Sequence, residues 1–337
     1  MIKAEELQEM TRSVFEGHGL SREISETIAD VLVHANLRGV DSHGVLRVEH
    51  YIKRMKEGGI NLAPDLKETD SSASTSTFDG DNGFGHHISK KAMESAIAKA
   101  KTEGIGAVAV KNSSHCGALS YFVSQATDEN LIGVAMTHAD KIVVPFGGSE
   151  SFFGTNPIAF GFPADREEPV ILDFATSTVA LGKVLDAKEK GKSIPGGWGV
   201  DENGDDTNNP DEVAALTPFG GPKGYGLAMV VEIFTALLTG AAFGPHISRM
   251  YGDYDKNREL GHFFMAIDPD KFVAIETFTS RLDQMIRELR EAPPAENVER
   301  IYVPGEIEMM TVKDRKANGI PVSDSIIEYL RKESGGK

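Results

Sequence analysis

The chain of 337 residues has one cysteine, Cys116, so it can form no intrachain disulfide and has no Cys-x-x-Cys pair for zinc or redox work. It is also short of positive charge, with 35 Lys and Arg against 51 Asp and Glu, a formal net charge of −16. Its densest basic stretch, Lys53-Arg54-Met55-Lys56, is brief and runs into Glu57. That is not the basic stripe a nucleic-acid backbone requires, so a nucleic-acid partner is not expected. Long hydrophobic runs are scarce as well. The longest, Gly226 to Gly244, is interrupted by Glu232 and Gly240. A charge at the centre of a bilayer is costly, so this run reads as a buried helix and no membrane partner is expected. The opening MIKAEELQEMTRSVFEGHGL carries acids throughout and no apolar core, unlike a secretory signal or transit peptide. There is no internal repeat or low-complexity tract. Together these absences lead to the expectation of a soluble cytoplasmic protein that handles a small molecule.

What is present is an ordinary globular balance, with 40% hydrophobic and 26% charged residues. The length suits one large or two to three small domains. Apolar residues at three-to-four spacing predict helices over 3–17 and 22–37, the second capped by Ser21. A third helix is predicted from about 45 to 56, stopped by Gly58-Gly59. The stretch 61–81 reads as a connector or edge strand. Strands are then predicted at 106–111, 132–137, 158–163 and 170–175, alternating with helices at 86–103, 117–128 and from 179 onward. A polar loop at 196–211 precedes a long helix after Lys223, and helices return beyond Asp268, ending at 323–333. The alternation predicts a mixed α/β fold.

Three motifs offer chemistry. In Asp41-Ser42-His43-Gly44-Val45-Leu46-Arg47-Val48-Glu49-His50-Tyr51, a helix capped by Ser42 would align His43, Arg47 and Tyr51 on one face. A cation, an imidazole and a phenol in one row suit an anionic small molecule, with Arg gripping a carboxylate bidentately. The plainer alternative is a solvated polar face. In Ser113-Ser114-His115-Cys116-Gly117, at a strand-to-helix junction, His115 has the chemistry of a proton-transfer group with a pKa near working pH. A structural histidine is the alternative, and Cys116 is disfavoured as a nucleophile. In Gly220-Gly221-Pro222-Lys223-Gly224-Tyr225-Gly226, free N–H groups at a helix start and the Lys223 charge would attract phosphate, unless the segment is only a helix entry turn. It lacks the Gly-Lys-Ser/Thr of a P-loop, and Gly83-Phe84-Gly85 lacks the third glycine of a Rossmann fingerprint. His86, His87, His115, His138 and Asp140 show no familiar metal-ligand spacing, and no metal is expected.

Taken in order, six segments resemble the malate/L-lactate/sulfolactate dehydrogenase family. They are RGVDSHGVLRVEHYIKRMKEGGIN (38–61), KNSSHCGALSYFV (111–123), VVPFGGSESFFGTNPIAFGFP (143–163), DFATSTVALGKV (173–184), GGPKGYGLAMVVE (220–232) and YVPGE (302–306). His138-Ala139-Asp140, LDAKEKGKSIPGGWGVDENG (185–204) and MYGDYDKNRELGHFF (250–264) resemble its ureidoglycolate dehydrogenase branch. Two departures stand out: Cys116 replaces a different residue in most relatives, and Ala139 stands where some carry Ser near the cofactor.

The resemblance implies a sulfolactate-dehydrogenase-like, non-Rossmann fold. A helical portion from both chain ends (1–72 plus 285–337) would pack on an α/β nicotinamide-binding portion (73–284). It implies oxidation of (S)-ureidoglycolate to oxalurate in allantoin degradation, with NAD as cofactor and a homodimer as the assembly. The alternative within the family is a malate or L-lactate type of 2-hydroxy acid dehydrogenase. On this reading His115 is the acid/base. Ser42, His43, Arg47, Tyr51, Asp140 and Arg258 would bind substrate, with Asp140 either orienting an imidazole or holding ureido nitrogens. Ala139, Asp173, Phe174, Ala175, Lys223, Gly224, Gly305 and Glu306 would bind the cofactor. The apolar helix 226–243 would serve either the core or the subunit interface. A non-catalytic binding protein and a metal-dependent lyase are the readings from other classes, separable by His115→Ala and by metal analysis.

Overall fold

A computed structural model describes residues 1–335. Three helices lead the chain: α1 (Ala4–Gly17), α2 (Arg22–Leu37) and α3 (Val48–Glu57). Ser21 caps α2 as predicted, its hydroxyl accepting from the Ile24 N–H at 3.4 Å. Ile24, Ile28, Leu32 and Ala35 are all buried. The predicted third helix begins three residues late. Asp41–His43 and Val45–Arg47 form two tight 3₁₀ turns, and Arg47 rather than Ser42 takes the position before α3. The reason lies in α2: the Asn36 carboxamide accepts from the Val45 N–H at 2.9 Å and donates to Asp41 at 2.7 Å, holding the segment off helical geometry.

The expected connector contains a hairpin of β1 (Lys67–Ser71) and β2 (Thr75–Asp79), and position 72 lies in its turn. Then follow α4 (Gly85–Glu103), β3 (Ile105–Ser113), α5 (Ser120–Thr127), β4 (Ile132–Thr137), β5 (Ile158–Phe162) and β6 (Val170–Phe174). Next come α6 (Leu181–Glu189), the short pair β7 (Gly199–Val200) and β8 (Ala215–Leu216), and α7 (Pro222–Glu232). The helix predicted through 243 is shorter. After Glu232 it widens into one π turn, Ile233–Leu237, and the chain leaves it at Gly240, which adopts φ +75°. An unpredicted strand, β9 (Leu260–Ile267), precedes α8 (Ile275–Glu291), α9 (Glu306–Asn318) and α10 (Asp324–Glu333).

The main sheet runs β1-β2-β3-β9-β4-β5-β6 and is antiparallel except between β2 and β3. β9 therefore lies between β3 and β4, and its side chains divide by the period of two. Phe264 and Ala266 join Val108 and Val110 under α4 and α5, while Phe263 and Met265 pack with Val134, Met136 and Val231 beneath α7. A second core joins α1, α2 and α3 to the chain's other end through Leu7, Phe15, Ile28, Leu32, Ile320 and Leu330. The backbones of Ile2 and Ile320 exchange hydrogen bonds at 3.0 and 2.8 Å. α8 packs separately, with Leu282 and Ile286 against Phe162 and Val170 of the sheet edge. Residues 336–337, the end of the expected helical portion, lie outside the described residues.

Candidate active site

The two tight turns before α3 are braced from two sides. Besides Asn36, Arg315 of α9 donates to both Asp41 oxygens at 2.6 and 2.9 Å and also to the Asn36 carbonyl. This brace changes the basis of the predicted alignment. His43 and Arg47 do not sit on a helix with Tyr51, yet the turns bring them to the same place. Ser42 is not a helix cap: its hydroxyl lies 3.0 Å from His43 Nδ1, and its carbonyl accepts from Arg47 Nε at 2.7 Å. The ring of His43 stacks on that of His115 at 5.7 Å between centroids, 29° apart.

His115 arrives from the opposite direction, on the extended chain between β3 and α5. Its Nδ1 lies 2.7 Å from the hydroxyl of Tyr51, which is fully buried. Tyr51 packs edge-on against His86 at 5.1 Å and Phe84 at 6.0 Å, so its ring has little freedom. Burial, followed by the positive fields of His43, Arg47, His86 and Arg258, holds the His115 pKa well below the usual imidazole value. The shift runs below the value expected from the sequence and favours the neutral imidazole. His43 is pushed down to about 4 by burial and by Arg47. Burial pushes Tyr51 up, so it stays a neutral phenol. Cys116 is buried and pushed up to about 12, which makes it a poor nucleophile.

Asp140 and Arg258 meet as an ion pair, Arg258 Nη2 donating to Asp140 Oδ1 at 2.7 Å, with side chains 18% and 3% exposed. The other Asp140 oxygen accepts from the Met250 N–H at 3.1 Å. Asp140 therefore orients a guanidinium, and the hydrogen bond to an imidazole considered from the sequence does not form. Arg258 keeps Nε and Nη1 buried without a protein partner. Such donors are costly to leave unmet, and they mark a place for acceptor oxygens.

A second group of predicted residues gathers at the end of β6. Phe174 packs edge-on against Phe219 at 5.6 Å, and the Phe219 N–H donates to the Thr176 carbonyl at 3.0 Å. This joins Asp173, Phe174 and Ala175 to the start of α7, where Lys223 and Gly224 lie. No side chain caps that helix, and Lys223 is exposed with no ion pair among the described residues. Gly224 is required for packing: a Cβ there would come within 1.9 Å of the Phe219 carbonyl oxygen. Asp173 accepts from the Ser120 N–H at 2.7 Å and so caps α5 just beyond His115. Ala139 packs under Gly154, where a Cβ would lie 2.5 Å from its carbonyl.

Gly305 begins α9 at φ +87°, against the backbone of Ile171 on β6. The Glu306 carboxylate is occupied elsewhere, by Arg290 at 3.2 Å, by Arg300 and by the Val303 N–H. Sequence reasoning missed Asn36, Arg54, His86, Tyr251 and Arg315. Tyr251 donates no signal by spacing, yet its hydroxyl bonds to the Arg47 guanidinium. Among the described residues no group of three or more His, Cys, Asp or Glu side chains is arranged to hold a metal ion.

An imidazole bonded to a phenol, two guanidinium groups and an uncapped helix start make up the candidate site. The comparisons identify the family. The family model described as malate/L-lactate dehydrogenase matches residues 2–331. The chain is 40% identical to a ureidoglycolate dehydrogenase (NAD(+)) of Escherichia coli K12, over 98% of this chain and 94% of that protein. It is 38% identical to a malate dehydrogenase of Pyrococcus abyssi, over 98% and 92%. Its fold matches sulfolactate dehydrogenase from Methanocaldococcus jannaschii with a TM-score of 0.93 at 37% identity, covering 98% and 96% of the two chains. The chain belongs to the malate/L-lactate dehydrogenase family. No helix among the described residues is long and apolar enough to cross a membrane.

Proposed function

We propose that this protein is an NAD-dependent 2-hydroxy acid dehydrogenase whose substrate is (S)-ureidoglycolate, oxidised to oxalurate in cytoplasmic allantoin degradation. The observation that carries the reading is His115 bonded through Nδ1 to Tyr51 beside Arg47 and Arg258. With Nδ1 protonated and donating to the phenol oxygen, Nε2 offers a lone pair to the substrate hydroxyl. His115 takes that proton as the alcohol carbon becomes a carbonyl. Arg47 holds the carboxylate, with Ser42 and His43 beside it. The unmet N–H groups of Arg258 take the ureido carbonyl oxygen, and Asp140 accepts from the ureido nitrogens with its remaining lone pairs.

The residues at the start of α7 fit a dinucleotide. Uncapped N–H groups and the unpaired Lys223 suit its phosphates, and Asp173, Phe174 and Ala175 adjoin them. Gly305 lies on the same strand's flank, and Ala139 beside the substrate end. When bound, the nicotinamide supplies the hydride acceptor that no side chain provides. NAD is favoured by the cofactor in the name of the Escherichia coli relative.

A homodimer is supported by an apolar ridge on α7 and its π turn: Met229, Val230, Ile233, Leu237 and Leu238 are all exposed, the last two by 59% and 57%. A second reading, oxidation of malate, is favoured by the 38% identity to the Pyrococcus enzyme. Against it, the second carboxylate of malate would approach Asp140. The test is the rise in NADH absorbance with NAD⁺ and ureidoglycolate, malate or L-lactate under the same conditions. Preference for ureidoglycolate supports the proposal. Preference for malate or lactate removes the substrate assignment, and no turnover with any acid removes the dehydrogenase reading.

A further inference from the structure

Arg54 is the largest fully buried side chain among the described residues, and it makes no hydrogen bond to a side chain described at the site. Its guanidinium reaches out of α3 and collects four backbone carbonyls. Nη1 donates to Asp253 and Lys256, both at 2.8 Å, and Nη2 to Met250 at 2.8 Å and Arg249 at 3.2 Å. All four belong to one strap, 249–256, which has no regular secondary structure and leads directly to Arg258. The ring of Tyr254 in the same strap lies 5.4 Å from the guanidinium.

The seat for the strap is completed by Gly59, just past the end of α3. A Cβ there would stand 2.2 Å from the Tyr254 carbonyl oxygen and 2.9 Å from that of Lys256. Only a glycine lets the strap lie this close. From this seat the strap reaches the site at three points. Its Met250 N–H bonds to Asp140, its Tyr251 hydroxyl bonds to Arg47, and its far end delivers Arg258 to Asp140.

We infer that Arg54, with Gly59, is a positioning residue for the substrate: it fixes the strap, and through it the aim of Arg47 and of the Arg258–Asp140 pair. A charged donor serving four carbonyls ties together the backbone of a segment whose other anchors are side-chain contacts, such as Asp253 to Arg249 and Lys256 and His50 against Tyr251 and Tyr254. The Tyr51–His115 hydrogen bond is made between α3 and the β3–α5 chain without any strap residue, so its geometry is set apart from the strap, which reaches His115 only through the charges of Arg47 and Arg258. The consequence is a division of labour. Loss of the clamp weakens the hold on the substrate and spares the chemistry and the cofactor end. The kinetic part of this inference rests on the dehydrogenase reading above.

The test uses full-length protein with NAD⁺, comparing wild type with R54M, R54K and G59A. R54M is expected to raise KM for the hydroxy acid by about tenfold or more while kcat and KM for NAD⁺ move by less than about threefold. R54K, which keeps the charge but not the fork, is expected to fall between R54M and wild type. Amide hydrogen exchange in 249–256 should quicken in R54M and G59A, with exchange in α3 and β9 unchanged. If R54M does not fold, G59A displaces the same strap without removing the cation and carries the test alone. Unchanged exchange in the strap overturns the inference. So does faster strap exchange without a change in KM for the acid, and so does loosening throughout the core with equal loss at both substrates. The exchange measurement needs no turnover, so failure of the dehydrogenase reading is distinguished from failure of the clamp.

Discussion

Replacing Tyr51 by Phe is the sharpest probe of the proton-transfer pair. The substitution keeps the ring, and with it the edge contacts to His86 and Phe84, and deletes only the oxygen 2.7 Å from His115 Nδ1. Tyr51 is 2% exposed, so water does not readily replace the lost partner. Leaving a buried donor unmet costs about 1–3 kcal/mol, and the upper half of that range applies as His115 gains positive charge during proton uptake. At 1.4 kcal/mol per factor of ten, kcat for hydroxy acid oxidation should fall about 30- to 140-fold. KM for the acid should change by less than about threefold, because Arg47 and Arg258 are untouched. The assay is steady-state NADH formation with each substrate varied in turn, on protein whose thermal unfolding confirms an intact fold. A kcat within twofold of wild type would refute the argument. A fall in affinity with kcat unchanged would show that Tyr51 serves substrate binding instead.

Three further outcomes follow from the geometry. The His115 pKa is lowered, so the base is neutral above that low value and fails only as pH drops through it. Log kcat/KM for oxidation should therefore show no His115 inflection between pH 6 and 8, and an inflection near 6.5 would contradict the assigned environment. Asp140→Asn removes the charge that balances buried Arg258. It should lower kcat/KM for ureidoglycolate by about 10-fold or more and that for malate far less, as measured in parallel. Equal loss on both acids would count against Asp140 as a specificity residue. Lys223→Ala should raise KM for NAD⁺ by about 3- to 10-fold with KM for the acid unaltered, since it removes one charge at the uncapped start of α7. An unchanged KM for NAD⁺ in steady-state assays would place the phosphates elsewhere.

Much of this architecture was legible because local signals agreed with the final packing. The period of Ile24, Ile28 and Leu32 marked α2, and Ser21 marked its start. The β-rich runs at 106–111 and 132–137 are strands, within a residue or two. β9 escaped because both its faces are covered, which removes the alternation of polar and apolar residues that identifies a half-buried strand. The bend before α3 escaped because its cause, Asn36, lies on another helix and Arg315 lies on a distant one. Among the site residues, His115, Arg47 and Tyr51 could be suggested by residue chemistry, but their convergence could not be read from helical spacing, because the segment is not helical there. In the sequence Arg54 stands out only as part of the brief basic stretch 53–56. Only the tertiary structure reveals that its four partners are carbonyls some two hundred positions away.

The pairing of Ile2 with Ile320, together with the grip of Arg315 on Asp41, has a consequence for how the enzyme is made. During synthesis the first three helices leave the ribosome long before the helices beyond residue 305 exist. Until those arrive, Leu7, Phe15 and Leu32 lack the Ile320 and Leu330 that cover them, and the turn bearing Ser42 and His43 lacks its brace. The central sheet faces the same delay, since β9 is the last strand to be translated and belongs in the middle. Long-range closure of this kind slows folding and leaves apolar surface open in the nascent chain. The candidate site is thus completed late, when the distal helices dock and lock the turn bearing Ser42 and His43 in place.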